Sequence, residues 1–449
     1  MEKRSAKDKY LTNEEPMKAL IRFLLPLVIG NLFQKLYTTV DSIIVGRLVS
    51  EDALAAIGAC NSLTNVFICV AIGGGIGASV IVGRDFGAEL FGRMKTSVFT
   101  ALAAFLGLSC IMGGFGYAAS QGILELLKTP ESILDMATDY LQIYFLGLPF
   151  LFIYNVLSSM FNALGKSRIP LYFLIFSSVL NVGLDLIFVA VFHMGVPGVA
   201  WGTLIAQGLS CLLSLMVFLR TIRRLEDDGH RFFDLPALGS MSRIALPSIL
   251  QQSTITVGYL LVQSVINGFD TKVMAGFSAA MRAEGVCVVF MTGCSNAMSA
   301  YTAQNLGAGS KDRVPEGFKA VLKLVVIFAV IVAVVLVGFP EPIARLFLGD
   351  KCSEEALRTA VGYMHFTGCF YIFFGIKQSC DGILRGSGDT FMFTVANLIN
   401  LGFRVILAMV MAPRFGVQWV WYAVPVGWFI NSVISLLEFR TGKWKTSLR

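Results

Sequence analysis

Two carboxylates stand inside apolar runs of this chain. Asp41 lies in RFLLPLVIGNLFQKLYTTVDSIIVGR at 22–47, and Asp185 lies in the run at 170–192. An ionised carboxylate in hydrocarbon is costly unless it faces a wet cavity, binds a cation or carries a proton. Asp41 comes six residues before Arg47, so roughly 9 Å below the outer end of a helix. Asp185 comes eight residues before His193, roughly 12 Å deep, and Thr203 lies roughly 10 Å deep in the next run. The three share one level. Asn181 is four residues before Asp185, on the same helix face, and it sits with Tyr37 about a turn deeper. Singly, Asn181 and Thr203 would read as polar glue between helices. Beside two acids at one depth they make an oxygen cage that could hold Na⁺ transiently or share a proton.

The elements that must position these groups are transmembrane helices. The 449 residues are 55% hydrophobic and only 14% charged, with a mean hydropathy of +0.72. A soluble chain of this length needs more polar surface than that, so the expectation is an all-α polytopic membrane protein. Apolar runs between charged or Gly/Pro-rich breaks give about twelve spans. They fall near 22–46, 53–82, 96–120, 134–162, 170–192, 197–219, 244–267, 273–304, 318–339, 357–383, 390–412 and 417–438. Pro26 leaves one carbonyl of the first span without its helical partner, which predicts a bend or hinge there.

Basic residues set the orientation. With a cytoplasmic N-terminus, the tails and even-numbered connections hold about 25 Lys and Arg, and the odd-numbered connections about seven. Both termini are therefore expected in the cytoplasm, with the chain multi-pass in a plasma (inner) membrane. The net charge of +7 follows from these loops and calls for no nucleic acid. The first 20 residues are polar and charged, so no cleaved signal is expected.

The chain also repeats. Arg22–Pro26 is echoed by Arg243–Pro247, Gly87-Ala88 by Gly307-Ala308, and Asn181 by Asn400. Six spans per half give both halves one orientation, a parallel pseudo-two-fold repeat of two six-helix bundles. The expected division is an N-terminal lobe at 1–219, a charged cytoplasmic linker at 220–243 and a C-terminal lobe at 244–449.

The second half places its charges differently. Arg404 falls where Asp185 falls in the repeat, and Arg282, Glu284, Lys377 and Asp381 also lie within spans. Arg282–Asp381 or Lys377–Glu284 could pair across helices, or these side chains could line a cleft suited to anionic or zwitterionic ligands. Nine cysteines without a CxxC spacing indicate neither a disulfide framework nor a zinc site. Histidines at 193, 230 and 365 are too scattered for a catalytic or metal cluster. No enzyme, cofactor or resident metal is expected. The glycines at 71–89 end a span and lie in no βαβ unit, so they read as helix contacts. LRGSGDT at 384–390 reads as a tight turn.

Taken together, the twelve spans, Pro26 to Asp41, VGRDFGAE, AQNLGAG, LGKSRIP and LRGSGDT resemble the multidrug and toxic compound extrusion family over nearly the whole chain. The resemblance implies a secondary active exporter. It would move organic, often cationic and amphipathic compounds against H⁺ or Na⁺ by alternating access, functioning as a monomer in the bilayer. It also implies coupling through Asp41, Asn181, Asp185 and Thr203, with Pro26 at the bend and Tyr37 and Asn155 in support. Another branch carries a seventh-span glutamate where this chain has Ile255, which favours the first-half site. The alternative within the superfamily is a flippase for lipid-linked oligosaccharide or another anionic lipid, favoured if Arg282, Lys377 and Arg404 form a basic cleft.

Overall fold

A computed structural model describes residues 9–226, 229–349 and 351–446. Among these, every regular element is helical. Among the described residues, eleven helices are long and apolar enough to cross a membrane, and a bent pair counts as a twelfth when taken as one span.

The chain divides into two compact units, Leu25–Ile249 and Leu250–Arg449, the latter together with the residues up to Leu24. The divisions fall inside α2 (Pro16–Leu48) and α8 (Leu235–Ile266), close to Pro26 and Pro247, the internal prolines of these two helices. Between them the first unit carries α3 (Glu51–Gly87), α4 (Phe91–Leu126), α5 (Glu131–Ala163), α6 (Arg168–Leu186) and α7 (Gly195–Ile222). A short α1 (Tyr10–Asn13) precedes α2. The second unit carries α9 (Thr271–Gly307), α10 (Arg313–Gly338), α11 (Pro340–Leu348), α12 (Glu354–Gly368), α13 (Tyr371–Ser387), α14 (Thr390–Phe415) and α15 (Gln418–Thr441).

Local chemistry starts these helices where the sequence supplies caps. Ser50 Oγ accepts from the Ala53 N–H at 3.0 Å, and Glu51 and Asp52 follow in the first turn of α3. Ser353 with Glu354 and Glu355 does the same for α12. In the first unit α5 is the central post, packed against α3, α4 and α7. Its Leu141, Phe145, Leu148 and Phe152 are fully or almost fully buried, and Phe67 meets Phe145 edge-on at 5.1 Å. In the second unit α9 and α13 cross closely through Gly382 and Gly386. A Cβ on either would run into the Ser295 or Ser299 carbonyl, so only glycine lets the backbones approach this far.

The tenth span differs from its expected form. The sequence reads as one long run at 357–383, whereas α12 and α13 meet at an angle of 57°. Near the break, Thr367 Oγ1 donates back to the Tyr363 carbonyl at 2.8 Å, and the Phe370 N–H turns to Thr367 O at 3.0 Å. Back-bonding by a hydroxyl and a tightened turn are recognised causes of a kink.

Residues 230–234, just ahead of α8, are held against α4. Thr96 and Thr100 of α4 accept from the N–H groups of Arg231 and Asp234, each at 3.0 Å, and Phe99 stacks with both His230 and Phe232. In the other unit, Asn305 of the AQNLGAG stretch donates to the Leu11 carbonyl at 3.1 Å. Arg313 bridges Asn305 and the Glu14 carbonyl. Glu14 also pairs with Arg22 at 2.8 Å, so these short polar motifs tie the N-terminal segment to its unit.

Candidate functional site

Four helices of the first unit converge on one polar cluster. Tyr37 and Asp41 lie four apart on α2, and Asn181 and Asp185 lie four apart on α6, so each pair shares a face. The Tyr37 hydroxyl donates to Asn181 Oδ1 at 2.6 Å. Asn181 Nδ2 donates to Asp185 Oδ1 and to Thr203 Oγ1, each at 3.2 Å. Asp41 lies near enough to Asp185 for their charges to interact, and Tyr140 of α5 lies near enough to feel both acids. Asp185 is 0% and Asn181 2% exposed.

This cluster is incomplete in one respect. Asp41 Oδ1 and Asp185 Oδ2 are both buried and accept no hydrogen bond. Two ionised carboxylates about 4 Å apart repel by roughly 4 kcal/mol even at an effective dielectric of 20. A proton between them or a small cation among their oxygens removes that repulsion and fills both vacant acceptors. With only two acids present, the donor set suits a monovalent charge. No group of three or more His, Cys, Asp or Glu able to hold a metal occurs among the described residues.

Backbone detail sharpens the site. A π-helical turn at Ile187–Val191 begins two residues after Asp185, and such turns commonly occur where a helix serves function. A Cβ at Gly202 would run into Asp185 Oδ1, so the missing side chain makes room for the carboxylate. Gly202→Ala is expected to displace Asp185 from Asn181 and lower coupled transport roughly tenfold or more, as small misplacements at reacting centres do. Rates in proteoliposomes equal to wild type would remove this role for Gly202.

Most of the sequence candidates meet here: Tyr37, Asp41, Asn181, Asp185 and Thr203. Asn155 makes no hydrogen bond to this cluster among the described residues; its amide donates to the Leu151 carbonyl of its own helix at 2.8 Å. Pro26 lies inside α2, which continues as helix through it. Tyr140 escaped sequence reasoning, since a tyrosine near a span end resembles an interfacial anchor.

In the second unit the expected ion pairs are replaced by others. Lys377 pairs with Asp381 on its own helix at 2.8 Å, and Asn397 donates to Asp381 at 3.2 Å. Glu284 accepts from the Tyr363 hydroxyl rather than meeting Lys377. Arg282 is exposed and pairs with no acid among the described residues. Arg404 lies over the Tyr259 ring, 5.4 Å from its centroid. LRGS of the supposed turn is helical up to Ser387; the turn itself comes at Gly388, with φ +79°. Arg385 is therefore buried on the same face as Lys377 and Asp381, a spacing of four and eight that the sequence does display.

The MatE family model matches this chain twice, over residues 26–187 and 247–410, each match opening at a helix-internal proline. The probable multidrug resistance protein YpnP of Bacillus subtilis is 28% identical over 443 residues, 97% of either chain. A FAD transporter of Shewanella oneidensis is 26% identical over 94% of either chain. A MOP superfamily transporter of known structure from Pyrococcus furiosus superposes with a TM-score of 0.88 at 21% identity, over 97% of this chain and 98% of that one.

Proposed function

The chain belongs to the MatE family, and on that premise we propose a secondary active exporter of organic, often cationic and amphipathic compounds. Relatives described as multidrug resistance or export proteins support this reading. The transporter exchanges its cargo for inward-moving H⁺ or Na⁺. The coupling ion binds at Asp41 and Asp185, with Asn181 and Thr203 as neutral oxygen or amide partners. The observation that carries this assignment is the pair of buried, unpartnered carboxyl oxygens on Asp41 and Asp185.

Exchange requires opposite preferences. The coupling ion must favour one facing state and the cargo the other, because a ligand that binds both states equally shifts nothing. Filling the carboxylate pair removes its repulsion and releases α2 to change course at Pro26, where the proline has already removed one ladder bond. The protein works as a monomer in a plasma membrane, with both termini cytoplasmic. The positive-inside distribution of Lys and Arg supports that orientation.

The test uses proteoliposomes loaded with a fluorescent cationic dye, under an imposed pH gradient and separately an imposed Na⁺ gradient. Dye movement against its own gradient under one of them is the expected result and names the ion. Dye movement that ignores both gradients, in folded protein, would refute ion-coupled export.

A further inference from the structure

A second polar chamber lies wholly within the second unit and has the opposite character. It is a cavity of about 300 Å³, at the small end of the range for ligand sites, walled by α8, α9, α13, α14 and α15. Four charged side chains face it: Glu284, Lys377, Arg385 and Arg404. Two of these already have strong partners. Lys377 is bound to Asp381 at 2.8 Å, and Glu284 holds the Tyr363 hydroxyl.

The two arginines are left. Arg385 is 6% exposed and donates through Nη2 to Asn296 Oδ1 at 2.9 Å, yet its Nε–H has no acceptor. The Nε–H of Arg404 is likewise buried without an acceptor. No acid lies within ion-pair distance of either guanidinium among the described residues. A buried guanidinium donor without an acceptor is costly, and an anion that accepts from it relieves the cost. Gln251 and Asn400 line the same space, and each has a buried side-chain oxygen that accepts no hydrogen bond, so a small turn of either side chain offers a ligand donor an acceptor. Phe374 and Trp428, with ring centroids 4.8 Å apart, supply a flat apolar wall.

We infer that this cavity is a binding site for a small organic monoanion, an aromatic carboxylate that also carries a hydrogen-bond donor. The charges fix the valence. Arg385 and Arg404 give two positive charges, Glu284 offsets one, and the Lys377–Asp381 pair is neutral. The carboxylate accepts from the Arg404 guanidinium, the donor satisfies Gln251 or Asn400, and the ring lies along Phe374 and Trp428. A lone organic cation fits poorly, because the unpartnered charged groups are themselves donors. This site is separate from the acidic cluster of the first unit and does not depend on how that cluster couples transport.

Equilibrium binding of radiolabelled 4-hydroxybenzoate to the whole protein in phosphatidylcholine nanodiscs tests this, with empty nanodiscs as the blank. Saturable binding is expected. Unlabelled 4-hydroxybenzoate should compete, while its neutral amide and benzylamine should not. Arg404→Gln should weaken binding at least about tenfold, the size of a charge-assisted hydrogen bond. Arg404→Lys, which keeps the charge and safeguards the fold, should weaken it less. Absence of saturable binding, equal competition by the amide, or unchanged affinity in both Arg404 variants would overturn the proposal. So would binding of short-chain phosphatidylglycerol at Arg404 without any carboxylate binding, which would make the occupant a lipid phosphate.

Discussion

Gradient-driven efflux is expected to fall to the level of empty liposomes in Asp185→Asn, and equally in Asp41→Asn. Asparagine keeps the size of the side chain and still offers a carbonyl oxygen, so the packing around α2, α6 and α7 is largely retained. What it removes is the charge. With both acids ionised the pair repels, and with one bound proton or Na⁺ it is satisfied. In the proposed exchange, that difference supplies the coupling ion's free energy of binding. With one carboxylate left the repulsion is gone before any ion arrives, so binding no longer drives a change of state. The neutral partners should behave otherwise. Tyr37→Phe deletes the 2.6 Å bond to Asn181, and Thr203→Val the 3.2 Å bond, each worth about 1 kcal/mol. Those variants should need about fivefold more coupling ion for half-maximal rate while reaching a similar maximum. Full activity in either aspartate variant would sink the site.

Much of this cluster is legible in the chain because helix rise is a fixed length. Counting residues from Arg47 and His193 puts Asp41 and Asp185 at one depth, and the hydrogen bond between Tyr37 and Asn181, one turn from each acid, brings their helices together there. The four-residue spacings on α2 and α6 then place Tyr37 against Asn181, as their hydrogen bond records. Depth is one-dimensional, however, and rotation about each helix is not. Asn155 spends its amide on Leu151, and Tyr140, which carries no charge to mark it, turns inward beside the acids.

The same limit explains the misread pairs of the second half. Any two opposite charges at similar depth look like partners across helices, so Arg282–Asp381 and Lys377–Glu284 were equally plausible from residue types. The pair that forms, Lys377–Asp381, needed only the i,i+4 rule within one helix. Treating LRGSGDT as a turn hid Arg385, although it continues that face. The kink between α12 and α13 was hidden for another reason. Neither Thr367 nor Gly368 is unusual in a membrane helix, and the bend depends on which carbonyl the threonine hydroxyl chooses.

Lys377→Met should be among the most destabilising single changes in the second unit, costing about 3–5 kcal/mol. The side chains of Lys377 and Asp381 are only 6% and 1% exposed, so removing the lysine strands a carboxylate that water cannot reach. Asn397 still donates to Asp381 at 3.2 Å, but an amide replaces neither the charge nor the 2.8 Å contact. Asp381→Leu should be similarly damaging, because Lys377 then keeps only Gln378 Oε1 at 3.2 Å. The double variant Lys377→Met/Asp381→Leu leaves neither member of the pair behind as a charge without its partner. Asn397 retains its bond to the Phe393 carbonyl at 2.9 Å, and two apolar side chains fill the space. Its stability should return close to wild type, since a buried pair repays little more than its own desolvation. Unfolding of all four proteins in one detergent would give the coupling energy from the cycle. Losses that simply add in the double variant would mean that each side chain is held by its other neighbours. The pair would then contribute no more than a surface bridge does, despite its burial.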